Sequence, residues 1–388
     1  MTLASSAPES AGTERLLAEL TTQLGRPVPA EWAAALRHVP RHRFLPDRIW
    51  LRDGHGGYAP CDRSTDPAQW WEAAYSDAPL VTQLHVEDDG YQQPTSSASA
   101  PSTVVRMLEA AQISDGHHVL EIGTGTGYHA ALLAHRLGDT RVTSIEVDES
   151  IANRARANLR AGGQQPTVIT GDGAHGHPAG APYDRAIATC SVRAIPPAWI
   201  QQTRPGARIV TPWSTAWITY GTLTLARARD DTVSGRFAPY GAYMVMHGQR
   251  PDVELERDLL HDGQVPDRST TLLSPWDVAG HNLDAQFAIG IRVPDIWHSW
   301  DADTAEAHTR LWLADDRATS WAAVDYDGKQ TERFRVSQHG PRNLWDEVET
   351  AHAQWDQAGR PAIERHGLTA TVHGHQLWTD RPENAITT

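Results

Sequence analysis

The chain has 388 residues, 40% of them hydrophobic, with a mean hydropathy of −0.48, which fits a globular protein of two or three domains. No run of about 18 apolar residues occurs, so no membrane-spanning helix is expected, and the polar residues 1–13 have no signal-peptide core, so a cytoplasmic location is expected. The net charge of −14 is uneven, with 24 acidic and 21 basic residues through Tyr240 and 24 and 13 beyond it, so nucleic acid is a poor partner and a neutral or cationic peptide a better one.

Leu16, Leu17, Leu20 and Leu24 recur at helical spacing and predict an amphipathic helix over 14–24. A second helix is predicted over 29–38, with Pro29 near its start. Pro40 and Pro46 punctuate 36–46 as an ordered loop, and residues 52–71 carry little pattern. An irregular polar stretch, 85–94, precedes a Ser/Thr-rich segment and a helix from Pro101 to about Gln112, with Ser99 near its N-cap. Val119 to Ile122 reads as a buried strand, and 129–137 as a helix. Strands are predicted over 141–148, 166–170, 183–189 and 205–212, helices over 149–161 and 197–204, and a hairpin arm over 219–228. Past a boundary placed near 240–251, hydrophobic alternation weakens and tryptophan becomes frequent. There a helix over 343–359 carries Leu344, Trp345, Val348, Ala351, His352 and Trp355 on one stripe, which reads as core rather than peptide groove.

Between the first strand and its helix stand Gly123, Gly125 and Gly127. Residues without Cβ permit a tight turn and let a ligand lie against backbone at a helix N-terminus. The spacing is G-x-G-x-G after the acid Glu121, not the dinucleotide G-x-G-x-x-G. It resembles motif I of class I S-adenosylmethionine (SAM) methyltransferases. Glu146 ends the next strand 19 residues beyond Gly127, where such a site puts a carboxylate for the ribose hydroxyls. Asp172, between Gly171 and Gly173, is placed to meet the adenine edge. The cofactor set is therefore Glu121, Gly123, Thr124, Gly125, Gly127, Tyr128, Glu146, Val147, Asp172 and Gly173, holding SAM and releasing S-adenosylhomocysteine. The fold class is α/β, a Rossmann-like class I methyltransferase core (95–240) with an N-terminal helical and loop region (1–94) and an appended C-terminal domain (241–388).

A narrower resemblance rests on Val39-Pro40-Arg41-His42-Arg43-Phe44-Leu45-Pro46, Tyr75-Ser76-Asp77-Ala78-Pro79-Leu80 and Ser99-Ala100-Pro101, in order before the glycine loop. Together these look like protein-L-isoaspartate O-methyltransferases. The resemblance implies that Ser99 holds the substrate carboxylate near the SAM methyl, with Ser97, Ser102 and Thr103 beside it. The segment from Gln338 to Glu347 resembles tails of actinobacterial homologues found beside lanthipeptide or graspetide pathways. That favours a dedicated substrate, an aspartate in a cyclised ribosomal peptide, esterified and then closed to a succinimide. General isoaspartate repair is the first alternative, and a peptide-binding protein without catalysis the second.

Other features have plainer readings. Arg37, Arg41 and Arg43 fit either a substrate carboxylate or an acidic face. His175 with His177, and His373 with His375, lack a third ligand at metal spacing, so no metal is expected. Cys61 and Cys190 fit unpaired thiols, and the single lysine, Lys329, lies in a turn-like context that suits neither a P-loop nor a Schiff base.

Overall fold

A computed structural model describes residues 6–54, 56–86, 92–250, 253–304 and 307–387. It divides into two compact units that alternate in sequence. The first comprises 1–190, 196–210 and 226–232, and the second 191–195, 211–225 and 233–388. The compositional boundary at 240–251 is therefore later than the first passage of the chain between units.

The first unit opens with α1 (Ser6–Leu24) and α2 (Ala30–His38), which bury Leu16, Leu17 and Leu20 on one and Trp32, Ala35 and Leu36 on the other. A short 3-10 turn, Arg41–Phe44, follows. β1 (Arg48–Arg52) comes next, and the stretch of little pattern, 52–71, holds β2 (Tyr58–Asp62) and the start of α3 (Pro67–Ala74). Asp66 caps α3 by accepting the Gln69 N–H at 3.0 Å, with Pro67 in the first turn.

The described ends of the stretch expected to be irregular, 85–86 and 92–94, belong to two paired strands, β3 (Leu80–Val86) and β4 (Gln92–Ala98), in an antiparallel sheet of order β2-β1-β3-β4. Residues 87–91 of the expected loop lie outside the described residues. Polar cross-strand pairs stand where alternating apolar residues would be: Thr82 donates to Ser96 at 3.1 Å, and Thr95 to Gln83 at 2.8 Å.

Next come α4 (Pro101–Ala110), β5 (Val119–Ile122), α5 (Tyr128–Leu137), β6 (Val142–Glu146), α6 (Glu149–Ala161), β7 (Thr167–Thr170), β8 (Tyr183–Ala188), α7 (Pro197–Gln202) and β9 (Thr203–Ser214). Strands β7, β6, β5, β8 and β9 lie side by side in that order and pair in parallel. The order reverses direction at β5, so the crevice outside the carboxyl ends of the strands is where a doubly wound sheet holds its ligand. All four residues of β5 are buried, which explains its continuous apolar character apart from Glu121.

In the second unit, β10 (Thr219–Arg227) and β11 (Val233–Ala238) are followed by β12 (Asp267–Thr271), α8 (Pro275–Ala279) and α9 (Leu283–Gly290). Then come β13 (Ile296–Ala302), β14 (Thr309–Asp315), β15 (Trp321–Tyr326), β16 (Phe334–His339), α10 (Leu344–Gln357), β17 (His366–Thr371) and β18 (Gly374–Thr379). β11 pairs with β17 and β17 with β18, both antiparallel. A separate antiparallel sheet has the order β12-β16-β15-β14-β13.

Both faces of that sheet are covered at its middle strands, β14 and β15. Leu311, Leu313, Ala322 and Val324 join a core with Trp345, Val348 and Ala351 of α10. The intervening Trp312, Ala314, Trp321 and Ala323 pack with Leu259, Leu255 and Leu260. Burial on both sides removes the alternation that marks a half-exposed strand, and it gives several tryptophans a core role.

Candidate functional site

The glycine loop leaves β5 with three residues in left-handed backbone: Gly123 at φ +95°, Gly125 at +54° and Gly127 at +89°. Gly127 also admits α6, since a Cβ there would meet the Ala155 carbonyl at 3.3 Å. The loop is pinned at its root, where the Gly123 and Thr124 N–H groups donate to the Ile145 carbonyl at 2.8 and 3.1 Å.

Glu121 lies behind this loop with no exposed surface. Its carboxylate accepts from His129 Nδ1 at 2.7 Å and from the Ser144 hydroxyl, and the Thr124 hydroxyl lies 2.5 Å from Ser144. Glu121 and the Thr124 side chain thus face inward and fix the loop's shape. Tyr128 is also buried, beside Phe44, and burial pushes its hydroxyl pKa upward.

Glu146 stands at the carboxyl end of β6, next to the loop. Its Oε2 accepts the Gly125 N–H at 2.9 Å and its Oε1 the Asp148 N–H at 3.2 Å. Burial is the larger influence and raises its pKa, against the opposing backbone donors. Val147 beside it is half exposed. Asp172, beyond the end of β7, is exposed and accepts the Ala174 N–H at 2.9 Å. Gly173 is buried, and a Cβ there would come within 2.3 Å of Ile122 Cγ2, so the chain crosses close over the end of β5.

The Ser/Thr-rich segment reaches the same place from β4. A Cβ on Gly125 would lie 3.8 Å from the Ser97 carbonyl, and that is its nearest neighbour. Ser99 occupies the turn between β4 and α4, with Ser102 and Thr103 in the first turn of α4, all half-buried. Ala100, not Ser99, is the N-cap of α4 and offers no side-chain cap. Asp77 supplies one from a distant loop, accepting the Ser102 N–H at 2.7 Å.

Arg41 settles between the two readings its sequence allowed in neither way. It is 1% exposed and donates to backbone carbonyls of Ala74, Ser76, Ala78, Ala98 and Ser99. Burial lowers its pKa to about 10, still charged at neutral pH. Arg37 pairs with Glu14 and Arg43 with Glu9, on exposed surface. His42, also buried, bonds Tyr75 at 2.7 Å and Glu9 at 3.1 Å. Segments 39–46 and 75–80 contain Arg41 and Asp77, but nothing in a lone sequence marks an arginine as a carbonyl clamp.

Glycine loop, strand-end acid and half-exposed Val147 converge at the carboxyl ends of β5 and β6 and match the needs of an adenosyl sulfonium ligand: an acceptor for ribose hydroxyls, an apolar contact for a base, and open backbone for the amino-acid part. Fold and site together define a class I SAM-dependent methyltransferase. Residues 61–241 match the protein-L-isoaspartate(D-aspartate) O-methyltransferase family. Protein-L-isoaspartate O-methyltransferase 2 of Polaromonas sp. is 33% identical over 237 residues, 61% of this chain and 97% of that relative. The Ignicoccus hospitalis protein-L-isoaspartate O-methyltransferase is 36% identical over 184 residues, 47% of this chain and 72% of its own. A solved structure named protein-L-isoaspartate O-methyltransferase is similar over 95% of this chain and 100% of its own, at a TM-score of 0.52 and 20% identity. The chain belongs to the protein-L-isoaspartate O-methyltransferase family, whose members are SAM-dependent enzymes.

Among the described residues no helix is long and apolar enough to cross a membrane.

Proposed function

We propose that the protein methylates the free carboxylate of isoaspartyl residues in peptides and proteins. The observation that carries this reading is the approach of the end of β4, next to Ser99, to the glycine loop, with the Ser97 carbonyl 3.8 Å from where a Gly125 side chain would begin. Glu146 would hold the ribose, Val147 would lie along the base and Asp172 would meet the adenine edge. SAM, when bound, supplies an electrophilic methyl group on a sulfonium sulfur.

The chain's own part is positioning. A carboxylate is ionised at neutral pH, so its attack on the methyl needs no general base. Ser99, with Ser97, Ser102 and Thr103 beside it, would orient that carboxylate in line with the methyl–sulfur bond and keep competing water away. In the resulting ester, attack by the next backbone nitrogen expels methanol and closes a succinimide, a step that draws nothing further from the enzyme.

A dedicated cyclised ribosomal peptide was the expected substrate, and two observations favour repair over it. The segment that carried that resemblance is accounted for by folding contacts. Gln338 bonds the Trp345 N–H at 2.7 Å and Asp346 at 2.9 Å, and Arg342 bonds Asp295 at 2.8 Å and Glu347 at 2.6 Å. The likeness over 95% of the chain also runs into the C-terminal part, so an appended part of this kind does not by itself indicate a special substrate. The test is methyl transfer from labelled SAM to an isoaspartyl peptide, its aspartyl isomer and a cyclised aspartyl peptide. Transfer to the first alone supports repair, and transfer to the third alone supports tailoring.

A further inference from the structure

The turn that carries Ser99 has almost no local support. Ala100 gives α4 no side-chain cap, and Pro101, as the first helical residue, has no N–H to offer. Two residues remote in sequence hold it instead. The Asp77 carboxylate accepts the Ser102 N–H at 2.7 Å, satisfying a donor that the helix itself leaves open. The buried Arg41 guanidinium takes the other side. Its Nη2 donates to the Ser99 carbonyl at 3.0 Å and the Ala98 carbonyl at 3.3 Å. The same nitrogen reaches the Ala78 carbonyl at 2.9 Å, and Nη1 the Ser76 carbonyl at 2.9 Å and the Ala74 carbonyl at 3.4 Å.

Arg41 therefore ties the loop that carries Asp77 to the turn that carries Ser99, and Asp77 ties it again one turn further on. We propose that Arg41 and Asp77 are positioning residues for methyl transfer, a two-sided clamp that sets the place of Ser99 relative to the glycine loop. The proposal rests on the isoaspartyl reading for its activity arm only. A guanidinium serves this purpose better than an ammonium, because its planar fork directs the N–H donors of Nη1 and Nη2 in fixed directions to carbonyls from separate segments. Exclusion from water makes each of those carbonyls costly to leave unpaired, so the turn has one favoured geometry.

The variants are Asp77→Ala, which removes the acceptor, Asp77→Asn, which keeps an oxygen at that place, and Arg41→Lys, which keeps charge but cannot serve the same carbonyls. Steady-state kinetics with an isoaspartyl peptide, SAM titration calorimetry and hydrogen exchange by mass spectrometry are measured on each. For Asp77→Ala the expected result is a fall of about tenfold or more in kcat, with SAM affinity within about twofold of wild type. Exchange should rise in 97–105 and not across β5 to β7, and Asp77→Asn should restore both readouts. Arg41→Lys, the variant more at risk of misfolding, should show faster exchange in 74–79 and 97–105 together.

Unchanged kcat in Asp77→Ala would overturn the proposal. So would SAM affinity that falls in step with activity, because a general loss of structure would do that. If wild type binds SAM but does not methylate the peptide, the isoaspartyl reading falls and exchange decides the clamp: no rise in 97–105 in either Asp77→Ala or Arg41→Lys overturns it.

Discussion

Replacing Glu146 by Gln should act in opposite directions on cofactor binding and on stability. The side chain is 8% exposed and its two oxygens hold the Gly125 and Asp148 N–H groups at 2.9 and 3.2 Å. Glutamine is nearly isosteric and keeps one oxygen for the Gly125 N–H, giving up only the longer bond from the Asp148 N–H, so the loop should retain its shape. It loses the charge-assisted bonds that a carboxylate would make to ribose hydroxyls, worth about 1.5–3 kcal/mol in total. SAM affinity should therefore fall by about 10- to 150-fold.

Stability should move the other way. Burial raises the Glu146 pKa above its ordinary 4.5, so the folded state binds a proton more tightly than the unfolded one. The resulting penalty is absent below the ordinary value. It grows as pH rises through the window up to the raised value, and is complete above it. The ligand-free variant should melt no lower than wild type at neutral pH, and its relative advantage should shrink on acidification through that window. Calorimetric SAM titration and thermal melts at several pH values measure both effects. Unchanged affinity, or a large loss of stability accompanying weaker binding, would refute the reasoning.

Gly173→Ala would put a methyl 2.3 Å from Ile122 Cγ2 and should cost about 1–3 kcal/mol in urea unfolding, with SAM binding weakened as β5 and the crossing chain separate. Gln338→Ala removes the acceptor for the Trp345 N–H at 2.7 Å and should cost about 1–3 kcal/mol while leaving isoaspartyl peptide kinetics unchanged, and a kinetic effect without a stability effect would restore a substrate role for that segment. His366 is fully buried, and burial holds its pKa down to about 4 from 6.5. That difference corresponds to about 3 kcal/mol of stability, present above pH 6.5 and lost as pH falls towards 4. Urea titrations across that range should show the loss, and His366→Gln should flatten part of it.

The parallel core was legible because its signals are local. Gly123, Gly125 and Gly127 need positive φ, β5 is buried throughout, and Glu146 ends the neighbouring strand. The antiparallel hairpin was not, because Gln92 to Ala98 has no apolar alternation and pairs through backbone and polar side chains such as Thr95 with Gln83. Burial on both faces similarly hid β14 and β15, where Trp312 and Leu313 point into different cores. Ser99 reads as lying near the N-cap by its proximity to Pro101, but the capping carboxylate comes from Asp77, 25 residues before the Ser102 N–H that it accepts. Contacts of that range leave no periodic trace. The peptide-tailoring expectation draws on the acidic loop 83–94, on the C-terminal domain and within it on Gln338 to Glu347, whose residues join β16 to α10.

The most direct measurement of the central claim is incorporation of a base-labile methyl ester from labelled SAM into a synthetic isoaspartyl peptide, beside its aspartyl isomer of identical composition. The account predicts methylation of the isoaspartyl peptide alone, with ester decay through a succinimide detected as loss of methanol. SAM binding without methylation of that peptide, or transfer only to the ordinary aspartyl isomer, would contradict it.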